Sequence, residues 1–570
     1  MRRYLVTAAL VAAVTTIMVP YKAAFASPKT DSLVTTGSPP SPFPQNKQNE
    51  PALAIDPLNP AVMVAGANDE IDLQPCSGSS CPFTPGVGTS GMYFSFDGGN
   101  TWTQPTYTGW SARTGTAAVG PIGTLPWYYE AGLVSDGDPA VAFGPRPGPN
   151  GFSWSNGARL YYGSLASNFS TDRTDTTFKG FEAIAVSRAD DLAAAASGTK
   201  SAWMPPVVVT TKTSAATFSD KDGVWADNTA TSPFFGNVYA CWTDFRSKTS
   251  LPAAAQPMEL SRSTDGGTTW SSPVQLTPAT PGSKTIKFTA AGGRQGCAIR
   301  TDSHGAVYVF WEGTDNKQLV QVMTRSFDGG KTFEKPRSVS NVSDVGKTDP
   351  VTGDSTFDGL AGARTDSFPS VDLANGSPSG AGATNEIALA WSDASAGLNH
   401  EQALLQYSTD GGNSWSTPTN IAESGDRPDF PAVALSPDGK NMYLDYMAFL
   451  QDWQETTTSP RLMQGVIRTA PVGSSGAPGA WVTLHRGATG DARGSSQNGL
   501  TGEFLGDYDS IVAANSTAVV GVWNDSRNAT DCPAVDAYRQ SLATSNPLPA
   551  PAPGTDCPAE FGNTDIFSAP

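Results

Sequence analysis

Acidic residues recur at the ends of short predicted β-strands, and three arginines lie in equivalent places. Carboxylates and guanidinium groups in neighbouring loops are suited to bind a sugar, and clustered carboxylates are suited to bind Ca²⁺ through their oxygens. In the structural alternative, each acid caps a strand end and accepts hydrogen bonds from loop amides. The acids are Glu50, Asp69, Asp138, Asp222, Asp244, Glu312, Asp366, Asp393, Asp429, Asp507 and Asp525, and the arginines are Arg294, Arg364 and Arg427. If a structural Ca²⁺ is bound, we expect Asp222 and Asp507 among its ligands; no cofactor is required.

An octapeptide that occurs four times indicates the elements that position these residues. It reads Ser95-Phe-Asp97-Gly-Gly-Asn-Thr101-Trp102 at its first occurrence and returns at 263–270, 326–333 and 408–415. The Asp-Gly-Gly sequence predicts a tight turn, because Asp accepts hydrogen bonds from turn amides and glycines accept positive φ. Each copy therefore predicts a strand-turn-strand unit with a structural aspartate, namely Asp97, Asp265, Asp328 and Asp410.

Two further strand patterns precede each turn and complete a four-stranded unit. A first strand follows a polar or acidic cluster, and a second strand tends to end in Trp-x-Asp, as in Trp391-Ser-Asp393 and Trp523-Asn-Asp525. First strands start near residues 50, 138, 222, 297, 368, 430 and 507. Four short strands recurring every ~60 to 90 residues are typical of propeller blades with long loops. The sequence predicts an all-β propeller of four-stranded antiparallel blades, with seven blades favoured, six as the alternative, and the octapeptide turns at the blade periphery.

The seventh unit lacks an obvious outer strand. The segment Asp31-Ser-Leu-Val-Thr35 is suited to supply one and so to close the ring, which removes exposed sheet edges. We expect a Pro/Ser-rich linker at 27–47, the propeller at 48–540 and a Pro-rich tail at 541–570. The starts of the inner strands and the ends of the second strands then meet on one face around the axis, so the acids should form a funnel there.

The six cysteines favour disulfides. Their order along the chain suggests Cys76 with Cys81, Cys241 with Cys297 and Cys532 with Cys557, although six cysteines allow fifteen pairings. The alternative for Cys241 is a buried free thiol. A zinc site is not expected, because His304, His400 and His485 are isolated and no C-x-x-C pair is present.

The N-terminus has the pattern of a secretory signal peptide. Arg2 and Arg3 precede an apolar run from Tyr4 to Val19, and Ala24-Phe-Ala26 forms a cleavage motif. We expect cleavage after residue 26 and a secreted protein, extracellular or periplasmic, since no later segment is long and apolar enough to span a membrane. Loss of three basic and no acidic residues changes the formal net charge from −17 to −20. Nucleic acid is therefore not an expected partner, and we expect a monomer.

The octapeptide resembles the Asp box of bacterial neuraminidase repeats. Together with the inner-strand motifs and the signal peptide, it indicates a resemblance to the exo-sialidase-like superfamily of β-propellers over roughly residues 48–540. That resemblance implies a propeller with Asp boxes at its periphery, away from the site. It also implies a glycoside hydrolase that acts on terminal sugars of extracellular glycans or glycoproteins.

The resemblance further implies roles for individual residues. Sialidases hold the substrate carboxylate with three arginines, which here correspond to Arg294, Arg364 and Arg427. Tyr508, at the start of the last inner strand, matches the nucleophile, with Glu503 as the glutamate nearby, and Asp138 corresponds to the acid. The Arg-Ile-Pro motif of the family is absent, and Asn49-Glu50-Pro51 stands in its place.

Three functions remain open from the sequence. The first is an exo-sialidase-type glycoside hydrolase, and the second is a non-catalytic propeller that binds glycan or protein, which the missing Arg-Ile-Pro motif favours. The third is another polysaccharide-degrading enzyme that uses an acid pair.

Overall fold

The computed structural model describes residues 30–35, 43–76, 78–79, 81–170, 177–210, 217–246, 257–277, 296–315 and 318–570. The predicted signal peptide, 1–26, lies outside the described residues, as does Arg294. None of the helices within the described ranges is long and apolar enough to cross a membrane.

Seven antiparallel sheets follow one another along the chain as the blades of a propeller. After β1 (Ser32–Leu33), the first blade holds β2 (Gln48–Ile55), β3 (Met63–Asp69) and β4 (Ser90–Ser95). A hairpin of β5 (Tyr107–Ser111) and β6 (Ala118–Ile122) leads to the second blade, which contains β7 (Leu133–Ser135), β8 (Ala140–Gly148), β9 (Gly151–Asn168), β10 (Ala183–Ala189) and β11 (Trp203–Val208). A short helix, α1 (Leu192–Ala196), lies between β10 and β11.

The third, fourth and fifth blades each contain four strands. The third blade contains β12 (Thr217–Ala226), β13 (Val238–Arg246), β14 (Met258–Ser263) and β15 (Val274–Gln275). The fourth contains β16 (Ala298–Thr301), β17 (Val307–Asp315), β18 (Gln318–Ser326) and β19 (Arg337–Asn341). After a hairpin of β20 (Lys347–Thr348) and β21 (Ser355–Thr356), the fifth blade has β22 (Ser370–Leu373), β23 (Ile387–Asp393), β24 (Gln402–Ser408) and β25 (Thr419–Asn420).

The last two blades complete the ring. The sixth contains β26 (Arg427–Leu435), β27 (Asn441–Phe449), β28 (Leu462–Pro471) and β29 (Val482–Arg486), with β30 (Gly490–Asp491) also paired to β28. The seventh contains β31 (Ser510–Ala513), β32 (Val519–Asp525) and β33 (Asp565–Ala569), and α2 (Pro533–Leu542) and α3 (Pro553–Asp556) lie between β32 and β33. The all-β propeller of seven blades is therefore confirmed, with inner strands where the sequence predicted them.

The N-terminal strand closes the ring as predicted. Ser32 and Leu33 pair with Ser568 and Phe567 on β33, so β1 is the outer strand of the seventh blade. The third strand of that blade, β33, comes from the segment that we assigned to a C-terminal tail, and β1 lies in the predicted linker. Both ends of the chain thus belong to the propeller, because the last blade needs strands from each to complete its hydrogen bonding.

Large aromatic side chains fill the spaces between blades. Trp242, Trp311, Trp391 and Trp523 lie on the second strands of four blades and are at most 2 % exposed. The inner strands surround a central channel of about 320 Å³ whose walls are largely Ala, Val, Leu and Ile side chains. This packing holds the starts of the inner strands in a ring around the axis.

All four octapeptides form the same turn between the third strand and the outer edge of a blade. In the second copy, Asp265 accepts hydrogen bonds from Thr269 N at 2.9 Å, Thr269 Oγ1 at 2.6 Å and Ser263 Oγ at 2.8 Å. In the fourth copy, the hydrogen bond from Ser414 lowers the pKa of Asp410 to about 2. The predicted peripheral position of these turns is confirmed.

Three disulfides join the described cysteines in the predicted pairs. They are Cys76–Cys81, Cys241–Cys297 and Cys532–Cys557. The alternative of a free Cys241 thiol is therefore wrong.

Candidate functional site

At or near the start of four inner strands one residue has its backbone in the left-handed region, and in three of these strands it lies at a bulge. Glu50, Asp138, Lys221 and Phe430 have φ values of 57°, 46°, 53° and 50°. The pairing register of β2, β12 and β26 shifts at these residues. Such conformations cost free energy for residues with a Cβ atom and are concentrated at functional sites. The bulges bring side chains from different blades together at one end of the axis.

A buried ion-pair cluster occupies this end of the axis. The Lys221 ammonium contacts the Asp507 carboxylate, and its Nζ atom is 3.9 Å from Glu50 Oε1. Arg364 donates two hydrogen bonds to Asp507, from Nε at 2.9 Å and from Nη2 at 2.8 Å. Burial would raise the pKa of Asp507, but the charges of Lys221 and Arg364 outweigh it and lower that pKa to about 2. Asp507 therefore stays ionised and holds two cations.

A carboxyl pair adjoins this cluster. Burial raises the pKa of Glu50 well above its usual range, and the neighbouring charge of Asp138 raises it further. Burial also raises the pKa of Asp138, to about 6, although the charge of Lys221 works in the opposite direction. Glu50 therefore keeps its proton more readily than Asp138 does.

Tyr508 lies in the same cluster. The Lys221 Nζ atom is 5.4 Å from the centroid of the Tyr508 ring and 5.5 Å from that of Phe368. Burial raises the pKa of the Tyr508 hydroxyl well above its usual range, and the charges of Asp138 and Glu50 add to this effect. The phenol therefore stays protonated unless a nearby carboxylate removes its proton.

Two other predicted site residues, Glu503 and Arg427, have described contacts that do not include Tyr508. Glu503 is 1 % exposed, and its Oε1 atom is 2.8 Å from Arg461 Nη1 and 3.9 Å from Arg539 Nη1. Arg427 is 5 % exposed and donates to Glu401 as well as to the carbonyl oxygens of Phe357 and Gln451. The guanidinium of Arg427 is thus occupied by internal partners rather than presented to a ligand carboxylate.

Several acids of the predicted funnel accept internal hydrogen bonds. Asp393 and Asp525 each accept one from the indole of their own Trp-x-Asp motif, at 3.3 Å and 2.9 Å. Asp69 accepts from Tyr93 OH at 2.7 Å, and Asp429 accepts from Thr365 Oγ1 at 2.6 Å. Burial raises the pKa of Asp429 to about 8. These four acids therefore fit the structural alternative, in which the acids accept hydrogen bonds from within the protein.

The acids proposed for calcium have different surroundings. Asp507 is held by Lys221 and Arg364, whereas both carboxyl oxygens of Asp222 are buried without a hydrogen-bond partner. Burial raises the pKa of Asp222 well above its usual range, so the carboxyl group favours its neutral form there. Elsewhere, Glu312, Asp344 and Asp366 each place one oxygen within 4.8 Å of the others. A structural Ca²⁺ stays a prediction.

A groove opens beside the ion-pair cluster, and it consists of two adjoining cavities. The first, about 380 Å³, is lined by Asn68, Arg364 and Phe504 among others. The second, about 530 Å³, is lined by Phe169 and Glu182 among others. Asn68 connects the groove to the axis, because its Nδ2 donates to Glu50 Oε2 and its Oδ1 accepts from Asp138 N, both at 2.8 Å.

Two carboxyl groups line this groove and were not predicted. Asp136 lines both cavities, and Glu182 lines the second. Burial raises the pKa of Asp136 to about 6, although hydrogen bonds from Ser167 lower it in part. Burial raises the pKa of Glu182 well above its usual range, and the charge of Asp136 adds to the effect. A second acid just before Asp138 was the only signal in the sequence, and nothing marked Glu182 or Lys221.

Comparisons with known proteins find similar solved structures at low sequence identity and low TM-score. No protein-family model and no curated protein matches the chain. The chain is similar to Hadza microbial sialidase Hz136 at 13 % identity and a TM-score of 0.37, covering 70 % of this chain and 63 % of that one. It is similar to Trypanosoma rangeli sialidase with the inhibitor DANA at 11 % identity and a TM-score of 0.37, covering 75 % and 57 %.

A further similar structure is an arabinanase. Penicillium chrysogenum alpha-L-arabinanase complexed with arabinobiose shares 13 % identity at a TM-score of 0.28, covering 62 % of this chain and 92 % of that one. The chain spans about 57 % to 63 % of the length of the two sialidases. The sheets of the structure themselves show that the protein is a seven-bladed β-propeller.

Proposed function

We propose that this protein is a glycoside hydrolase that acts on extracellular glycans at the groove beside the propeller axis. The observation that carries the proposal is the pair of carboxyl groups, Asp136 and Glu182, in the groove wall. Glycoside hydrolysis generally needs one carboxylic acid and one carboxylate on opposite sides of the scissile bond. Burial and the charge of Asp136 both raise the pKa of Glu182, so Glu182 favours its protonated form while Asp136 is ionised.

The two residues would have different roles. Because the pKa of Glu182 is raised well above its usual range, Glu182 would keep its proton near neutral pH and protonate the glycosidic oxygen. Asp136, with a pKa of about 6, would be the carboxylate that attacks the anomeric carbon or activates a water molecule. The proton and the leaving sugar then depart together as an alcohol.

An exo-sialidase mechanism is the second candidate, and one observation favours it. Arg364, with a side chain 42 % exposed, lines the first cavity and contacts the same cluster as Tyr508. In this mechanism Arg364 would bind the substrate carboxylate, Tyr508 would be the nucleophile and Asp138 the acid. The location of Glu50 in the cluster and the internal pairing of Arg427 count against it, because they leave fewer cations for an anionic sugar.

Hydrolysis of aryl glycosides tests both candidates together. Purified protein is assayed with 4-methylumbelliferyl sialoside and with neutral 4-methylumbelliferyl glycosides, using wild type, Asp136→Asn, Glu182→Gln and Tyr508→Phe. The two-carboxyl mechanism requires release from a neutral glycoside and a loss of at least a hundredfold in both carboxyl variants. Release from the sialoside that depends on Tyr508 alone would instead support the sialidase mechanism. Glycan binding without any turnover would indicate that the protein is a non-catalytic propeller that binds glycans.

The pH profile of the active protein is the first prediction. We expect kcat/KM to rise as pH increases through about 6, because Asp136 must be ionised, and to fall at higher pH as Glu182 loses its proton. Glu182→Gln should remove the alkaline limb of the residual activity. Kinetics between pH 4 and 9 check this, with melting temperatures at each pH as the control for folding. A profile without an acidic limb near 6 would contradict the role of Asp136.

A further inference from the structure

The structure assigns the groove to a neutral oligosaccharide that occupies two subsites on either side of Phe83. This inference deepens the proposed function and rests on it for the cleavage step. The binding of such an oligosaccharide is measurable without turnover.

Phe83 is the boundary between the two cavities. The cavities share three lining residues, Phe83, Thr89 and Asp136, so they lie side by side with these residues in a common wall. Their volumes of about 380 and 530 Å³ lie within the ~300 to 1,000 Å³ that ligand sites commonly occupy. Each is large enough for at least one sugar ring, so the groove accommodates more than a single terminal sugar.

The side chain of Phe83 is exposed and lies two residues after a disulfide. Phe83 is 60 % exposed, and it follows Cys81 of the Cys76–Cys81 disulfide. Backbone hydrogen bonds join Cys76 N to Phe43 O at 3.0 Å and Cys81 N to Asn498 O at 3.2 Å. These bonds and the disulfide fix the backbone at both cysteines, close to Phe83, and sugar rings pack their apolar faces on exposed aromatic rings.

Amide side chains form part of the lining of the first subsite, beside its charged residues. Four amides line it, namely Asn49, Asn68, Gln497 and Asn498. Amide side chains both donate and accept hydrogen bonds, which matches the hydroxyl groups of a sugar. A second aromatic ring, Phe504, completes this subsite and stacks against the Arg364 guanidinium at 4.8 Å.

The charges of the groove disfavour an anionic sugar. Its two described cations already have partners, because Lys47 Nζ is 3.7 Å from Glu70 Oε1 and Arg364 pairs with Asp507. Asp136 and Asp354 also line the first cavity, and Glu182 lines the second. A carboxylate on the ligand would meet these acids without a free guanidinium to neutralise it. The ligand is therefore a neutral sugar chain.

The position of Asp136 determines where that chain would be cut. Asp136 lies in the wall common to both cavities, with Glu182 in the wall of the second, so a bond between the two subsites would pass Asp136. Cleavage there transfers the proton of Glu182 to the glycosidic oxygen, and water supplies the new hydroxyl at the anomeric carbon and restores the proton. The products are two shorter sugar chains rather than one released terminal residue.

Binding of defined sugars to Phe83→Ala tests the inference. The matched control is Phe327→Ala, because Phe327 is also 60 % exposed but lies in an octapeptide turn at the periphery. Isothermal titration calorimetry on Glu182→Gln protein uses arabino-, xylo-, cello-, malto- and mannotetraose with the matching monosaccharides, and 3′-sialyllactose against lactose. We expect one tetraose to bind at least tenfold tighter than its monosaccharide. Phe83→Ala should weaken the binding of that tetraose at least fivefold, and Phe327→Ala should leave its affinity unchanged.

The outcomes separate this inference from the proposed function. Binding of no tetraose, equal binding by Phe83→Ala, or tighter binding of 3′-sialyllactose than of lactose would each overturn the inference. If Phe83-dependent binding occurs but wild-type protein cleaves none of these sugars, the subsites stand and the hydrolase proposal fails. If wild-type protein cleaves a tetraose whose binding and KM do not depend on Phe83, the hydrolase proposal stands and the inference fails.

Discussion

Acids near the axis have different protonation states because their partners differ. Asp507 touches two cations and remains ionised, while Glu50 is buried against Asp138 and keeps a proton. Both are at most 7 % exposed at the side chain. The identity of the nearest charge, more than the depth of burial, decides which carboxyl group carries a proton.

Removal of the Lys221 ammonium should destabilise the protein. Lys221→Met leaves Asp507 and Glu50 buried with one cation fewer, and loss of one member of a buried ion pair costs about 3 to 5 kcal/mol. Urea denaturation at pH 7 measures the free energy of unfolding. Lys440→Met is the control, since Lys440 is 73 % exposed and pairs with Asp438 at the surface, and we expect a change below about 0.5 kcal/mol.

Measuring the difference in unfolding free energy between wild type and Lys221→Met at low pH tests whether the lost charge causes that difference. Because Asp507 has a pKa of about 2 in the folded protein, its contribution to stability is present above the unfolded pKa near ~4 and is lost as pH falls towards 2. The difference between wild type and Lys221→Met should therefore shrink between pH 5 and pH 2. A constant difference over that range would show that lost packing, not lost charge, causes the effect.

At the scale of elements, the octapeptide turns are the repeated structural device. In each turn the aspartate accepts hydrogen bonds from backbone amides and a hydroxyl within five residues, while the two glycines adopt positive φ. These bonds are local, so the turn forms wherever the sequence is present. Each turn then fixes the third strand against the edge of its blade.

Truncation of one turn aspartate should lower stability without changing activity. Asp265→Ala removes the acceptor for Thr268 N, Thr269 N and two hydroxyls, and we expect a loss of about 1 to 2 kcal/mol. Differential scanning calorimetry and the glycoside assay measure both effects. Asp265→Asn, which keeps one acceptor oxygen, should lose less. Lower activity in Asp265→Ala with an unchanged melting temperature would contradict a purely structural role.

At the scale of the whole molecule, the two ends of the chain join to close the ring. Val34 is fully buried, its N–H donates to Ile566 O at 2.8 Å, and Thr35 Oγ1 donates to Asp565 Oδ1 at 2.9 Å. Asp31 adds contacts with Arg527 and His485. Pairing with β1, a strand distant in sequence, covers the edge of β33 in the last blade.

A chain that begins at Thr36 should be less stable than one that begins at Thr30. The shorter chain lacks β1 and exposes the edge of β33, so we expect a melting temperature lower by roughly 5 °C or more. Melting curves by circular dichroism, with size-exclusion chromatography to detect edge-to-edge association, measure this. Equal melting temperatures would show that β1 does not hold the ring closed.

The sequence alone determined the blades and their turns, because the interactions that form them are local. Hydrogen bonds of Asp265 and its equivalents span at most four residues, and a Trp-x-Asp motif pairs residues two apart, so both are visible as short patterns. Repetition of these patterns indicated seven blades, and the polar end strand at 31–35 indicated the closure.

The site was decided by the tertiary structure. Lys221 and Asp507 are 286 residues apart, and the predicted clamp residue Arg427 is held by Glu401 from the preceding blade. Burial and partners from other blades set the pKa of each acid and decide whether each arginine is free to bind a ligand. The inner-strand sequence pattern contains no information about burial or about partners from other blades. The pattern therefore placed Asp138 and Tyr508 at the axis, whereas only the packing of separate blades brought Asp136 and Glu182 to one groove and left Phe83 exposed between two cavities.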